Sequence, residues 1–243
     1  MRIFREPSEN HIPTIATIPQ PNINNRNMFT YYETNTTPFT IVLPCSINNA
    51  AAFITHIMIE GSNIGTYSVT PGTISNQSIT TTWTDRSNVR QVDVRAIGTS
   101  QDASSVSFVI NTKQNASLPV KIYRIFALEQ WFSLPADRCF RDINFESSPN
   151  FHRYESLYDD VSLVERARQP LRNINLFARF RAESERNNMV NTLEQLPQFV
   201  FEYEVSELPR EVYRAYYDGP VSSAYTTTYK GSGFNLGFRI RER

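Results

Sequence analysis

Between Phe39 and Leu128 the sequence is a series of short β-branched and aromatic runs cut by turn residues, and this limits the fold more than any other feature. "FTIVL" runs into Pro44. "FITHIMIE" alternates Phe53, Thr55, Ile57 and Ile59 against Ile54, His56, Met58 and Glu60. Gly61 and Pro71-Gly72 mark turns, after which come "SITTTWT", "VRQVDVRAIG", "SVSFVIN" and "PVKIYRIFAL". Side chains that alternate in this way give a strand one dry and one wet face. Runs of this kind, spaced by turns, predict an antiparallel β-sandwich or jelly roll over 39–130.

Residues 1–38 have a different texture. Pro7, Pro13, Pro19, Pro21 and Pro38 disfavour both a helix and a central strand. Scattered apolar residues (Ile12, Ile15, Ile18 and Phe29) make this an extended arm with anchors for a neighbouring surface. Around Gln130 the composition changes again. The first 130 residues hold 17 charged side chains and the remaining 113 hold 31, so a second domain or layer begins there. Leu157, Val161 and Val164 have helical spacing within Glu155–Arg168, as do Met189, Leu193 and Leu196 within Glu183–Leu196. Pro170 and Pro197 stop the two helices. With "NINLFARF", "QFVFEYEV", "SSAYTTTY" and the final strand, residues 131–243 read as an α+β region that continues the first sheet or stands alone. The expected fold is mainly β.

The last strand, "GFNLGFRIRER", carries Arg239, Arg241 and Arg243 on the face opposite Phe234, Leu236, Phe238 and Ile240. In "QFVFEYEV", Glu202 and Glu204 have the complementary placement, and "INLFARFR" offers Arg179 and Arg181. If these strands are neighbours, the charges balance within the sheet, each pair contributing roughly 0.2–1 kcal/mol. A balanced face is a poor phosphate track. The chain's formal net charge of zero points the same way, so nucleic acid is not the expected main partner. Of the 24 basic residues 21 are Arg, a bias that suits forked contacts to carboxylates in interfaces.

No motif fixes a chemistry. "GSGFNLG" leads into a strand, whereas a phosphate loop opens a helix. Cys139, His152 and Asp137 lie close in sequence, but a buried thiol and a surface imidazole account for them, and no enzyme is expected. The two Asp of "YDD" are ordinary for a helix's first turn. Cys45, Cys139, His11, His56 and His152 have no metal-ligand spacing, so neither metal nor cofactor is expected. No apolar run is long enough to cross a bilayer, and "MRIFREPSENH" lacks a signal peptide's apolar stretch; a soluble intracellular chain is expected.

With the arm "PTIATIPQPNINNRNMF" and the strand series 39–128, the chain resembles virion structural proteins, in particular β-sandwich capsid or minor capsid subunits. That resemblance implies an assembly protein in a virion or host cytoplasm, whose partners are copies of itself or other structural subunits. The interface candidates are Ile12, Ile15, Ile18, Phe29, Arg239, Arg241 and Arg243. The arm departs from the pattern of genome-holding subunits because it is not basic. The alternative is a carbohydrate- or receptor-binding β-sandwich module that uses Trp83 or the tyrosines Tyr216 and Tyr217.

Overall fold

In the computed structural model, the alternating runs expected between Phe39 and Leu128 become two facing antiparallel sheets. The structure describes residues 1–8, 11–24, 30–48, 50–72, 77–80, 89–134, 139–142, 151–155, 162–166, 173–196, 198–203, 212–217, 222–228 and 231–242. The chain divides into two units. One comprises Arg2–Ser133 with Glu202–Val212; the other comprises Met1, Leu134–Phe201 and Tyr213–Arg243.

The first unit is the sandwich. Its strands are β1 (Arg2–Arg5), β2 (Thr14–Ile15), β3 (Ile18–Pro19), β4 (Tyr32–Thr34), β5 (Phe39–Pro44), β6 (Ser46–Ile47), β7 (Ala50–Ser62), β8 (Ile64–Pro71), β9 (Gln77–Thr80), β10 (Gln91–Ala103), β11 (Ser105–Lys113) and β12 (Val120–Ser133). One sheet runs β10-β7-β12-β1, with β4 on β12 and β6 on β7; the other runs β3-β2-β5-β11-β8-β9. Ile54, Ile57, Ile59, Ile122 and Ile125 of the first meet Ile41, Leu43, Val69, Phe108 and Ile110 of the second in the core. Tyr67 of β8 donates its hydroxyl hydrogen across that core to Asp93 of β10, 3.2 Å away, and Arg95 holds the other carboxylate oxygen at 2.8 Å. Cys45 is a buried free thiol whose S–H donates to the Ala103 carbonyl at 3.3 Å.

The sequence reading of β7 needs one correction. Ala52 and Ile54 lie in the core, and so do Ile57 and Ile59, whereas Phe53 is exposed. The inward parity therefore switches near Thr55. The β10–β7 register breaks at the same place, where Ala96 pairs with His56 and Gln101 with Ile54.

The proline-rich first 38 residues are largely built into the sandwich. Ile15–Ala16–Thr17–Ile18 form a two-residue hairpin between β2 and β3, and β2 pairs with β5. Ile15 packs against the core, Ile12 and Ile18 are exposed, and Phe29 lies outside the described residues.

The second unit contains β13 (Cys139–Asp142), β14 (Phe151–Glu155), β15 (Ser162–Arg166), β16 (Asn173–Phe180), α1 (Glu183–Gln195), β19 (Ser222–Thr228) and β20 (Gly231–Glu242). It also contains β17 (Gln198–Glu202) and β18 (Val212–Tyr217), except for Glu202 and Val212, which belong to the first unit. Its sheet order is β17-β18-β20-β16-β13, with β19 also on β20, and β14–β15 form a separate hairpin. The helix expected over Glu183–Leu196 forms as α1 and buries Met189 and Leu193. Glu185 accepts a hydrogen bond from the Arg181 amide at 3.1 Å in its first turn. The helix expected over Glu155–Arg168 does not form: Ser162–Arg166 are a strand paired with Phe151–Glu155. Leu157, Val161 and Val164 had suited a helix by spacing alone; β-branched residues in a short run also suit a hairpin, and pairing decides.

Candidate functional site

The outer face of the sandwich sheet carries a cluster of rings and charges where β4, β7, β10 and β12 come together. It begins with a bulge. Ile122 pairs with Gly61 and Arg124 with Glu60, so Tyr123 is the extra residue in β12. A bulge frees one residue from the ladder and re-aims its side chain. The backbone N–H of Asn24 donates to the Tyr123 carbonyl at 3.0 Å, and the Asn24 side-chain oxygen accepts from the Ile125 amide at 2.7 Å. The glycine opposite is required by close approach: a Cβ on Gly61 would lie 2.5 Å from the Lys121 carbonyl oxygen.

The β4–β12 register then sets the pairs. Glu33 stands opposite Lys121, while the intervening Tyr32 turns inward onto the core. Tyr31, just before β4, brings its ring to 5.3 Å from that of Tyr123 at an interplanar angle of 57°. The Lys121 ammonium lies 4.6 Å from the Tyr31 ring centre and 3.5 Å from both the Tyr31 hydroxyl and Glu33 Oε2. Arg90 covers the Tyr123 ring at 4.4 Å. Behind these rings Glu60, buried in β7, is held by Arg90 on one carboxylate oxygen and Arg124 on the other. Arg124 also donates to the Val212 carbonyl at 3.4 Å.

The electrostatics follow from that placement. Burial pushes the Glu60 carboxyl upward, but Arg124 and Arg90 outweigh it and hold it below the usual carboxylate range. Burial works to lower the Lys121 pKa, and Tyr31 and Glu33 overcome it and keep the ammonium above its ordinary range. The cluster thus presents two adjoining, partly exposed rings bordered by a fixed ammonium, a carboxylate and a guanidinium.

Elsewhere in this unit, Arg2 donates to the fully buried Glu202 at 2.6 Å and lies 3.0 Å from His56 Nε2. His56 Nδ1 meets the Thr55 hydroxyl at 2.9 Å. Desolvation, helped by Arg2, lowers the His56 pKa to about 4, so the ring is neutral, accepting from Arg2 and donating to Thr55. This run of hydrogen bonds has little opening to solvent.

The residues chosen from sequence are dispersed. Glu202 takes Arg2 as its partner, and β18 stands between β17 and β20, so the two strands expected to exchange charges are not neighbours. Glu204, Arg243 and Trp83 lie outside the described residues. Arg179 stands opposite Asn235 in β20, and Arg181 is exposed just before α1. Tyr216 stands opposite Arg241, and Tyr217 lies where burial and Glu194 raise its pKa. Cys139 and His152 belong to strands in different sheets. Among the described residues no three potential metal ligands cluster, and no helix is long and apolar enough to cross a membrane. Tyr31 was missed because it sat in what read as an arm, and Tyr123 because a bulge leaves no mark in an alternating run.

No family model and no curated protein matches the chain. Among solved structures it is similar to chitosan-binding module 1 from a chitosanase/glucanase of Paenibacillus sp. IK-5, at 11% identity and TM-score 0.41, over 52% of this chain and 99% of that one. It is also similar to the family 32 carbohydrate-binding module of C. perfringens NanJ, solved with galactose, at 12% identity and TM-score 0.40 over 53% and 100%. A third is a Clostridium perfringens module of the same family solved with GlcNAc-α-1,4-galactose, at 13% identity and TM-score 0.36 over 52% and 94%. These findings correct the expectation of a virion subunit. The similar folds are carbohydrate-binding modules, and the supposed interface arm supplies β1–β4 to the sandwich itself.

Proposed function

We propose that the protein is a binding protein rather than an enzyme, and that its sandwich unit holds a glycan at Tyr31 and Tyr123. The observation that carries this reading is the pair of partly exposed rings on the outer sheet face, rimmed by Lys121, Glu33 and Arg90. Sugar rings offer apolar C–H faces and equatorial hydroxyls, so an aromatic surface with fixed donors and acceptors at its edge matches both. The site is preorganised: Asn24 and Gly61 fix the bulge, and Glu60 fixes Arg90.

The test is a glycan array followed by calorimetric titration of the full chain. Tyr31→Ala and Tyr123→Ala are each expected to weaken the selected glycan by roughly tenfold or more, as loss of a central aromatic contact does. Lys121→Met is expected to alter which glycans are preferred. Absence of any glycan binding, or affinity unchanged in both tyrosine variants, overturns the reading.

A further inference from the structure

Two carboxylates stand near the Tyr31 and Tyr123 rings, and their settings differ. The Glu60 side chain is 5% exposed, with Arg90 on one of its oxygens and Arg124 on the other. The Glu33 side chain is 43% exposed, and among the described residues Lys121 is its one ion partner. That contact, between Lys121 Nζ and Glu33 Oε2, is 3.5 Å long, well beyond a tight charge-assisted hydrogen bond. The Lys121 side chain is 31% exposed, and its ammonium also donates to the Tyr31 hydroxyl at 3.5 Å. Glu33 is therefore the carboxylate that a ligand on the rings can reach.

The backbone holds this pair in place. Glu33 and Lys121 face each other in the β4–β12 register, between the pairs Thr34–Val120 and Tyr32–Ile122. Val120 and Ile122 are core residues and Tyr32 packs against them, so the two charges are fixed at the edge of the Tyr31 ring. An exposed ion pair of this length contributes little to stability and opens readily to a ligand. A charged group arriving there meets both signs at similar distances. A sugar carboxylate drawn to Lys121 is repelled by Glu33, and an ammonium drawn to Glu33 is repelled by Lys121. Either loses hydration against the rings with little net attraction in return. A hydroxyl has no such conflict, because it accepts from the ammonium and donates to the carboxylate.

We propose, resting on the glycan reading of this site, that it selects neutral sugars, and that Glu33 and Lys121 together take two neighbouring hydroxyls of the sugar ring lying on Tyr31. One hydroxyl donates to Glu33 and the other accepts from Lys121, while the C–H face of the sugar covers the aromatic ring. Uronic, sialylated and sulfated sugars are disfavoured by Glu33, and free amino sugars by Lys121. Selectivity of this kind comes from repulsion of the wrong ligands as much as from attraction of the right one. Each member of the pair excludes one class of charge, so removing either member admits the class that it excluded.

The experiment screens the full chain against neutral, uronic, sialylated, sulfated and free-amine oligosaccharides. The best neutral glycan is then titrated by calorimetry over a salt series, beside its C6-carboxylate and 2-amino-2-deoxy counterparts. The neutral form is expected to bind at least about tenfold more tightly than either charged form. Its affinity is expected to stay constant with salt, as binding without a net charge contact does. Glu33→Gln is expected to abolish the discrimination against the carboxylate form and retain that against the amine; Lys121→Met is expected to do the reverse. Each substitution also weakens the neutral glycan by roughly tenfold, through loss of a hydrogen bond to a charged group. The comparison of ligands on the unaltered chain needs no variant, so a substitution that harms folding leaves that test intact. A charged form that binds as well as the neutral one, or discrimination unchanged in both folded variants, overturns this inference. If Tyr31→Ala and Tyr123→Ala still weaken binding in that case, the glycan site itself stands. Absence of binding to every class of glycan overturns the glycan reading and this inference with it.

Discussion

His56 shows how one buried side chain makes stability depend on pH. Its pKa falls from 6.5 to about 4 because burial and Arg2 both oppose the imidazolium. Between those values the unfolded chain binds the proton and the folded one does not, so stability is complete above pH 6.5 and declines as pH falls toward 4. At 1.36 kcal/mol per unit, the decline amounts to about 3 kcal/mol. Urea midpoints measured from pH 7.5 to 4.5 are expected to fall, and His56→Gln to flatten the part of the curve between pH 6.5 and 5. Glu60 acts lower on the scale. Its depressed pKa gives stability that is present above the ordinary glutamate range and lost as pH drops through its folded value. Residue identity made little of this legible. A lone histidine in an alternating strand reads as packed or solvent-facing, and only the long-range contact to Arg2 separates those cases. Tyr31 and Lys121 likewise meet across 90 positions, which no local pattern encodes.

At the scale of elements, local sequence reads well where one strand or helix obeys one period, and poorly where pairing breaks the period. β5, β11 and α1 follow their alternation or spacing, and Met189 and Leu193 are buried as expected. β7 and β12 each carry an irregularity that shifts parity midway, so the single alternation read for β7 does not hold along the whole strand. The β2–β3 hairpin shows a different conflict. Ala16 and Thr17 take φ values of 48° and 68°, which a two-residue hairpin demands but a β-branched residue resists. Thr17 is exposed, and its hydroxyl bonds only locally to the Ala16 carbonyl at 2.6 Å. Thr17→Gly is therefore expected to stabilise the protein by about 1 kcal/mol, read as a higher urea midpoint with an unchanged m-value.

For the molecule as a whole, the mainly β character was legible, while the course of the chain through its two units was not. The sandwich is not a continuous stretch: Glu202–Val212 belongs to it although 68 residues of the other unit, Leu134–Phe201, intervene. Glu202 is fully buried and Arg2 is its ion partner at 2.5 Å. Removing one member of such a pair leaves the other charge uncompensated, at about 3–5 kcal/mol. Glu202→Gln is expected to lower the urea midpoint accordingly, and a fragment ending at Ser133 to be at least as destabilised. Equal stability of fragment and full chain would show that the return segment contributes nothing.

That return has a consequence for synthesis. Arg2 and Glu202 are 200 positions apart. At about 5–20 residues per second, the arginine is made roughly 10–40 s before its carboxylate. During that interval β1 can join β12 only with a guanidinium still seeking water, so this strand of the nascent sandwich settles late.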